Sequence, residues 1–225
     1  MPYSEELRKR IRKAIFDHFL AHSAPPVVEE LMTAYSLSRE AAAGVLNDLQ
    51  AARHIALVKG TARILMAFPF SAVATAFRVE VDERRYFANC AWDAIAFHAM
   101  LGSPVRVESF CHHCAAPIRL ELSGGQTVRA EPEDALVYLA VPAARWWDDI
   151  ITTCGITMVL FASPAHRDAS DLGASAGASL TPDQTHALSV PLYARKLEFD
   201  YQRPSKEALL QNFARIGITG EFWRL

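Results

Sequence analysis

Residues 76–102 read AFRVEVDERRYFANCAWDAIAFHAMLG. Phe77, Val79 and Val81 alternate with Arg78, Glu80 and Asp82, the period-two pattern of a half-buried strand. The polar run Asp82–Arg85 predicts a turn, and Tyr86-Phe87 leads out of it. From Cys90 the chain is almost wholly apolar until Gly102-Ser103-Pro104, which predicts a helix with a sharp stop. Two residues do not suit a plain core helix. Cys90 and Asp93 are spaced i, i+3, on one face and one turn apart. A thiol in the first turn feels the positive end of the helix dipole, which favours its thiolate. A carboxylate beside it opposes that ionisation. Asp93 therefore suits proton transfer, or a third ligand once a cation neutralises the pair. The plainer alternative is a buried cysteine beside a surface carboxylate.

Towards the C-terminus the pattern continues as strands and short helices. Val105 and Val107 open a strand, Ile118, Leu120 and Leu122 alternate, and Ser123-Gly124-Gly125 turns the chain. Ala135–Val141 and Ile156–Phe161 are apolar strands, with a short helix expected at Trp146–Ile150 between them. Cys154, in DDIITTCGITMVLFAS, sits just ahead of the second strand and offers a soft ligand from a distant part of the chain. Residues 164–179, rich in Ala, Gly and Ser, predict a loop or weak helix. Thr181-Pro182-Asp183-Gln184 starts a helix, and Ser205–Ile216 forms another, closed by Gly217.

Towards the N-terminus the chain is helical. Ser4 is a candidate cap with Glu5 and Glu6 behind it, and Leu7, Ile11, Ile15 and Phe19 make an apolar stripe. Ser23-Ala24-Pro25-Pro26 ends that helix. A short one follows over 27–34, and Ser38 caps a third that carries Ala42, Val45, Leu46 and Leu49. The apolar runs Ile55–Val58 and Ile64–Met66, joined through Lys59-Gly60, read as a hairpin. The fold class is α+β. A winged-helix-like three-helix module, residues 1–68, precedes a mixed, mainly antiparallel sheet domain with flanking helices, residues 69–225.

Composition narrows the function. With 225 residues, 51% of them hydrophobic, the chain can bury a sizeable core. A formal net charge of −2 gives no global footprint for nucleic acid. Arg8, Lys9, Arg10, Arg12 and Lys13 form a local basic run. The candidate recognition helix, however, has EAAAGVLNDLQAA at its centre, poor material for phosphate or base contact. No apolar run reaches the roughly 18 residues of a membrane span, and the first twenty residues do not read as a signal peptide. Four cysteines without such a signal point to a cytoplasmic protein with reduced thiols. Cys111-His112-His113-Cys114 has the spacing of half a zinc site. No second pair follows, so a turn with a buried cysteine is expected there.

These stretches together resemble the organomercurial (alkylmercury) lyases. The resemblance runs over roughly residues 5–165. It is carried by the helical N-terminal module, by AFRVEVDERRYFANCAWDAIAFHAMLG, by VRVESFCHHCAAPIRLEL and by TTCGITMVLFAS. It implies cleavage of a carbon–mercury bond by protonolysis to a hydrocarbon and Hg(II). Cys90 and Cys154 would match the family's two catalytic cysteines and Asp93 its aspartate, the three also holding the bound Hg(II). No organic cofactor is implied. An external thiol would serve as reductant and acceptor, with a low-molecular-weight thiol or a mercuric reductase taking the product. Cys111 would match a non-catalytic cysteine. The chain departs from the family pattern after Cys154, where Gly155 follows and Leu160-Phe161 lies about one residue late as the counterpart of an aromatic pair. It departs again in residues 180–225. Two other readings stand beside the lyase. One is a winged-helix regulator that senses a metal or thiol-reactive compound. The other is a lyase-fold protein with a non-mercury substrate or a binding-only role.

Overall fold

The computed structural model describes residues 3–225. Its first unit is helical. Helix α1 (Glu5–His22) starts at Ser4, whose hydroxyl accepts the Leu7 N–H, and ends at Ser23 in the left-handed region ahead of the proline pair. It buries Ile11, Ile15, Phe16 and Phe19. Helix α2 (Val28–Tyr35) and helix α3 (Arg39–Ala51) follow, and α3 is capped by Ser38 and buries Ala42, Val45, Leu46 and Leu49. A small antiparallel sheet then forms from β1 (Ala56–Leu57), β2 (Ile64–Ala67) and β3 (Phe70–Ser71). Its third strand was not foreseen, because two residues carry no period to read.

The principal sheet has the order β5-β4-β6-β7-β8. Strands β4 (Arg78–Val81) and β5 (Arg84–Phe87) are a tight hairpin through Asp82 and Glu83, both at positive φ. The turn is thus shorter than the polar run suggested, and Arg84 and Arg85 belong to a strand. Helix α4 (Ala91–Leu101) comes next and ends at Gly102, whose φ of 70 provides the left-handed cap. It is buried on every side, which fits its nearly unbroken apolar sequence. Strands β6 (Val105–Phe110), β7 (Pro117–Ser123) and β8 (Gln126–Glu131) complete the sheet in antiparallel register.

A second three-stranded sheet, of order β10-β9-β11, packs against α4. Strand β9 (Leu136–Leu139) is its fully buried centre. The helix expected at Trp146–Ile150 is displaced. A 3-10 turn spans Ala143–Arg145, helix α5 (Ile150–Thr152) is one turn long, and a π-helical turn follows at Thr153–Thr157. Strand β10 (Met158–Phe161) therefore starts two residues later than its apolar run. Helix α6 (Pro164–Asp168) and strand β11 (Ala178–Leu180) occupy the Ala/Gly/Ser-rich segment. Helix α7 (Pro182–Tyr193) opens with a Thr181/Gln184 capping box and packs along α4, and α8 (Lys206–Arg215) follows. All strand pairings among the described residues are antiparallel, and the whole is α+β.

Candidate active site

Three elements meet where α4 begins. Cys90 is the N-cap of α4, extended at φ −156, and its Sγ accepts the Asp93 N–H at 3.4 Å. Asp93 lies in the first turn, so the i, i+3 spacing turns it to the same side. Cys154 comes from the π-helical turn before β10. One ligand atom from each of the three lies within 4.8 Å of the others, and all three residues are buried. Extra-residue turns of this kind recur at functional sites, because they re-aim one side chain without breaking the helix.

Burial governs the electrostatics. The Cys90 thiol is pushed well above its ordinary value by desolvation, with Cys154 and Asp93 adding to the effect. The helix-dipole expectation is therefore corrected: the one helix-end hydrogen bond that favours its thiolate is the smallest influence on it. Cys154 is held down by a hydrogen bond from Cys90, but burial and the Asp93 charge outweigh that and raise it. Desolvation lifts Asp93 from 3.8 to about 6, against hydrogen bonds from Tyr193 and Asn89 and the positive charge of Lys196. Tyr193 Oη donates to one carboxylate oxygen at 2.6 Å and Asn89 Nδ2 to the other at 2.9 Å. The centre thus holds protonated thiols beside a carboxyl poised near neutrality, a combination suited to moving protons.

Residues that the sequence reading missed complete the surroundings. Met158 brings its thioether to 3.8 Å from Cys90 Sγ. Tyr193, at the end of α7, lies a hundred positions from Asp93, and no local signal joins them. Asn89 was findable, since its i, i+4 spacing to Asp93 and its place beside the cap are visible in the sequence. Behind Tyr193, Lys196 is 1% exposed inside a cage formed by Phe16, Phe68, Tyr193 and Tyr201, at 5.0–5.9 Å from their rings. Burial, with Arg203 and Arg12 nearby, lowers it to about 7, while Asp93 opposes the shift. A small cavity of about 40 Å³ adjoins the centre, walled by Phe68, Trp92, Trp146, Trp147, Ile150 and Leu192. The segment 180–225 thus supplies Leu192, Tyr193, Lys196 and Arg203 to the site and its backing. Cys111, 1% exposed, and Cys114, exposed, are not in this cluster.

The family model described as MerB: Alkylmercury lyase matches residues 70–194. That range contains Cys90, Asp93, Cys154 and Tyr193 and stops short of Lys196 and Arg203. Proteins named alkylmercury lyase are similar over shorter stretches. One from Streptomyces lividans is 37% identical over 70 residues, covering 31% of this chain and 33% of the relative. One from Bacillus cereus is 36% identical over 70 residues, covering 31% and 32%. One from Pseudomonas putida is 34% identical over 90 residues, covering 40% and 42%. The chain thus spans about a third of the length of the first two relatives. Its fold is similar to the crystal structure of the mercury-bound form of MerB2, with a TM-score of 0.65 and 17% identity over 87% of this chain and 93% of that one. More than half of the chain, including the whole Cys90 centre, matches the family model, and the chain belongs to the alkylmercury lyase family.

Proposed function

We propose that this protein is an organomercurial lyase, which cleaves a carbon–mercury bond by protonolysis at Cys90, Asp93 and Cys154. The observation that carries the reading is the convergence of two soft sulfurs and one carboxylate, all buried, inside the segment that matches the family. Mercury is the substrate's own metal, and it prefers sulfur. Cys90 gives up its proton as its sulfur bonds to R–Hg⁺, and Asp93, which titrates near 6, accepts that proton. Cys154 then adds its sulfur and loses its own proton to solvent. Two sulfurs push electron density onto mercury and weaken its bond to carbon. Asp93 delivers its proton to that carbon, R–H leaves, and Hg(II) stays on Cys90 and Cys154 with the Asp93 carboxylate as third ligand. The balance is R–Hg⁺ plus two thiols giving R–H, a mercury bis-thiolate and one proton. Tyr193 and Asn89 orient the carboxylate throughout.

Several finer readings belong with this proposal. The product passes to an external thiol, with a mercuric reductase as a further acceptor. Four free thiols favour a reducing, cytoplasmic setting. Residues 1–68 act as a winged-helix-like module and 69–225 carry the chemistry. The regulator reading draws little support from α1. Arg12 is buried in the molecule, Arg8 and Lys9 pair with Asp48, Glu5 and Asp200, and Lys13 pairs with Asp17.

The deciding experiment is headspace gas chromatography of the reduced protein with methylmercury and excess thiol. Methane should form above the thiol-only rate and fall to that rate in Cys90→Ser and Cys154→Ser. Unchanged methane production in Cys90→Ser would sink the proposal. No methane with mercury bound at the two cysteines would leave a sequestering protein.

A further inference from the structure

A second cluster of soft donors lies apart from the Cys90 centre. Cys111, Cys114 and His166 bring Sγ, Sγ and Nδ1 within 4.8 Å of one another. Cys111-His112-His113-Cys114 fills the loop between β6 and β7. The Cys111 N–H donates to the Ala116 carbonyl at 2.8 Å and the Ala115 N–H to the Cys111 carbonyl at 2.9 Å. Ala115 is in the left-handed region at φ 58, a conformation that residues with a Cβ disfavour. The His112 N–H donates to the Leu160 carbonyl at 2.9 Å and fastens the loop to the end of β10. Just beyond β10, Ser163 caps α6 by accepting the His166 N–H at 3.3 Å. The imidazole supplied from that turn approaches the loop from a segment more than fifty residues away.

The distances match those of a shared ligand. His166 Nδ1 is 3.6 Å from Cys111 Sγ and also 3.6 Å from Cys114 Sγ. A tetrahedral zinc, with bonds of about 2.3 Å to sulfur and about 2.0–2.1 Å to nitrogen, sets sulfur and nitrogen about 3.5–3.6 Å apart. Backbone N–H groups already converge on Cys111 Sγ, from Ala162 at 3.4 Å and from Cys114 and His113. Such donors stabilise a metal-bound thiolate. The His113 ring lies 5.6 Å from that of His166.

We propose that Cys111, Cys114 and His166 form a second metal site, which takes one closed-shell, thiophilic divalent cation of the zinc class. The fourth position is left to water or His113. The bound cation staples the β6–β7 loop to α6, and so ties the principal sheet to the segment that follows β10. The site is independent of the lyase reading.

Titration of the reduced full-length chain with Co(II) alone, then displacement by Zn(II), tests it. The wild type should take up one equivalent of Co(II) with thiolate-to-metal charge-transfer absorption and the visible bands of a tetrahedral ion. The Cys90→Ser/Cys154→Ser double variant should give the same spectrum. Cys114→Ala and His166→Ala should each weaken binding at least tenfold. Zn(II) should raise the Tm of the wild type and leave that of these two variants unmoved. Both substitutions lie towards the surface, and metal-free melting curves establish that the variants fold. Absence of the charge-transfer band in the wild type would overturn the proposal. So would a band that survives in Cys114→Ala or His166→Ala, or one that disappears only in the Cys90/Cys154 double variant. None of these results bears on methane formation, so the two proposals fail separately.

Discussion

At Asp93 the fold opposes the charge that the chemistry uses. Its carboxyl rises from 3.8 to about 6 because burial outweighs two hydrogen bonds and a nearby ammonium. The folded state therefore holds this proton more tightly than the unfolded chain does. The stabilising contribution is complete below pH 3.8 and is lost as pH rises through about 6. At 1.36 kcal/mol per pH unit, the buried anion costs about 3 kcal/mol by pH 8. Asp93→Asn removes the titration and keeps the shape. Its amide oxygen still accepts from Asn89, and its nitrogen donates to the Tyr193 hydroxyl, which accepts as readily as it donates. Urea unfolding should show the variant more stable than the wild type by about 1–3 kcal/mol at pH 8, with the difference vanishing towards pH 4. A variant less stable at pH 8 would mean that the hydrogen bonds, and not desolvation, dominate at this residue. If turnover is lost in the same variant, stability and activity trade against each other at one atom position.

Legibility followed how local each signal is. Serine caps announced α1, α3 and α8, the Thr181/Gln184 box announced α7, and glycine closed α4. Alternation gave β4 and β7, whose inner residues are buried. Strand β8 has no such pattern, since Gln126–Glu131 buries no residue fully and is held as an edge strand by pairing with β7. Cys90 and Asp93 were readable as a pair one helical turn apart. Tyr193 and Lys196 were not, because only the packing of α7 on α4 brings them there. The π-helical turn at Thr153–Thr157 was also hidden, since Ile156 and Thr157 continue an apolar run and Ile156 is then 59% exposed. That turn sets the aim of Cys154 and borders the small cavity. A Cβ added at Gly155 would meet no atom within 4 Å. Gly155→Ala should therefore stabilise the protein by about 0.4–1 kcal/mol through the unfolded chain. The same stiffening should slow turnover of a bulky aryl–mercury substrate more than that of methylmercury, because the larger group asks more of the cavity that the turn borders. Equal effects on the two substrates would show that the turn stays closed during catalysis.

Across the whole molecule, the helical N-terminal unit and the sheets share one core. Phe70, which pairs with Ala88, stacks on Phe19 and meets Phe16, Tyr86 and Phe97 edge-on or tilted. A second tie is polar. Arg12, 2% exposed, sends its guanidinium from α1 to the segment after α7, donating to the carbonyls of Lys196 at 2.7 Å, Phe199 at 3.2 Å and Glu198. One arginine of the basic run of α1 is thus turned inward and holds the backbone that carries Lys196. Helical periodicity locates that arginine, while the carbonyls it serves lie more than 180 residues away. Replacing Arg12 with methionine removes the guanidinium from over the Phe16 and Tyr201 rings and leaves buried carbonyls without a donor. The expected loss is about 3 kcal/mol, read as a lower urea midpoint. The effect should reach the active site as well, because Lys196 helps to hold down the Asp93 carboxyl. Once Lys196 is displaced, Asp93 should titrate above 6, and the rise of methane formation with pH should move to higher pH. Arg12→Lys, which restores one of the donors, should recover part of both effects. A midpoint that falls while the pH profile stays fixed would confine Arg12 to stability and remove the N-terminal unit from any part in tuning the site.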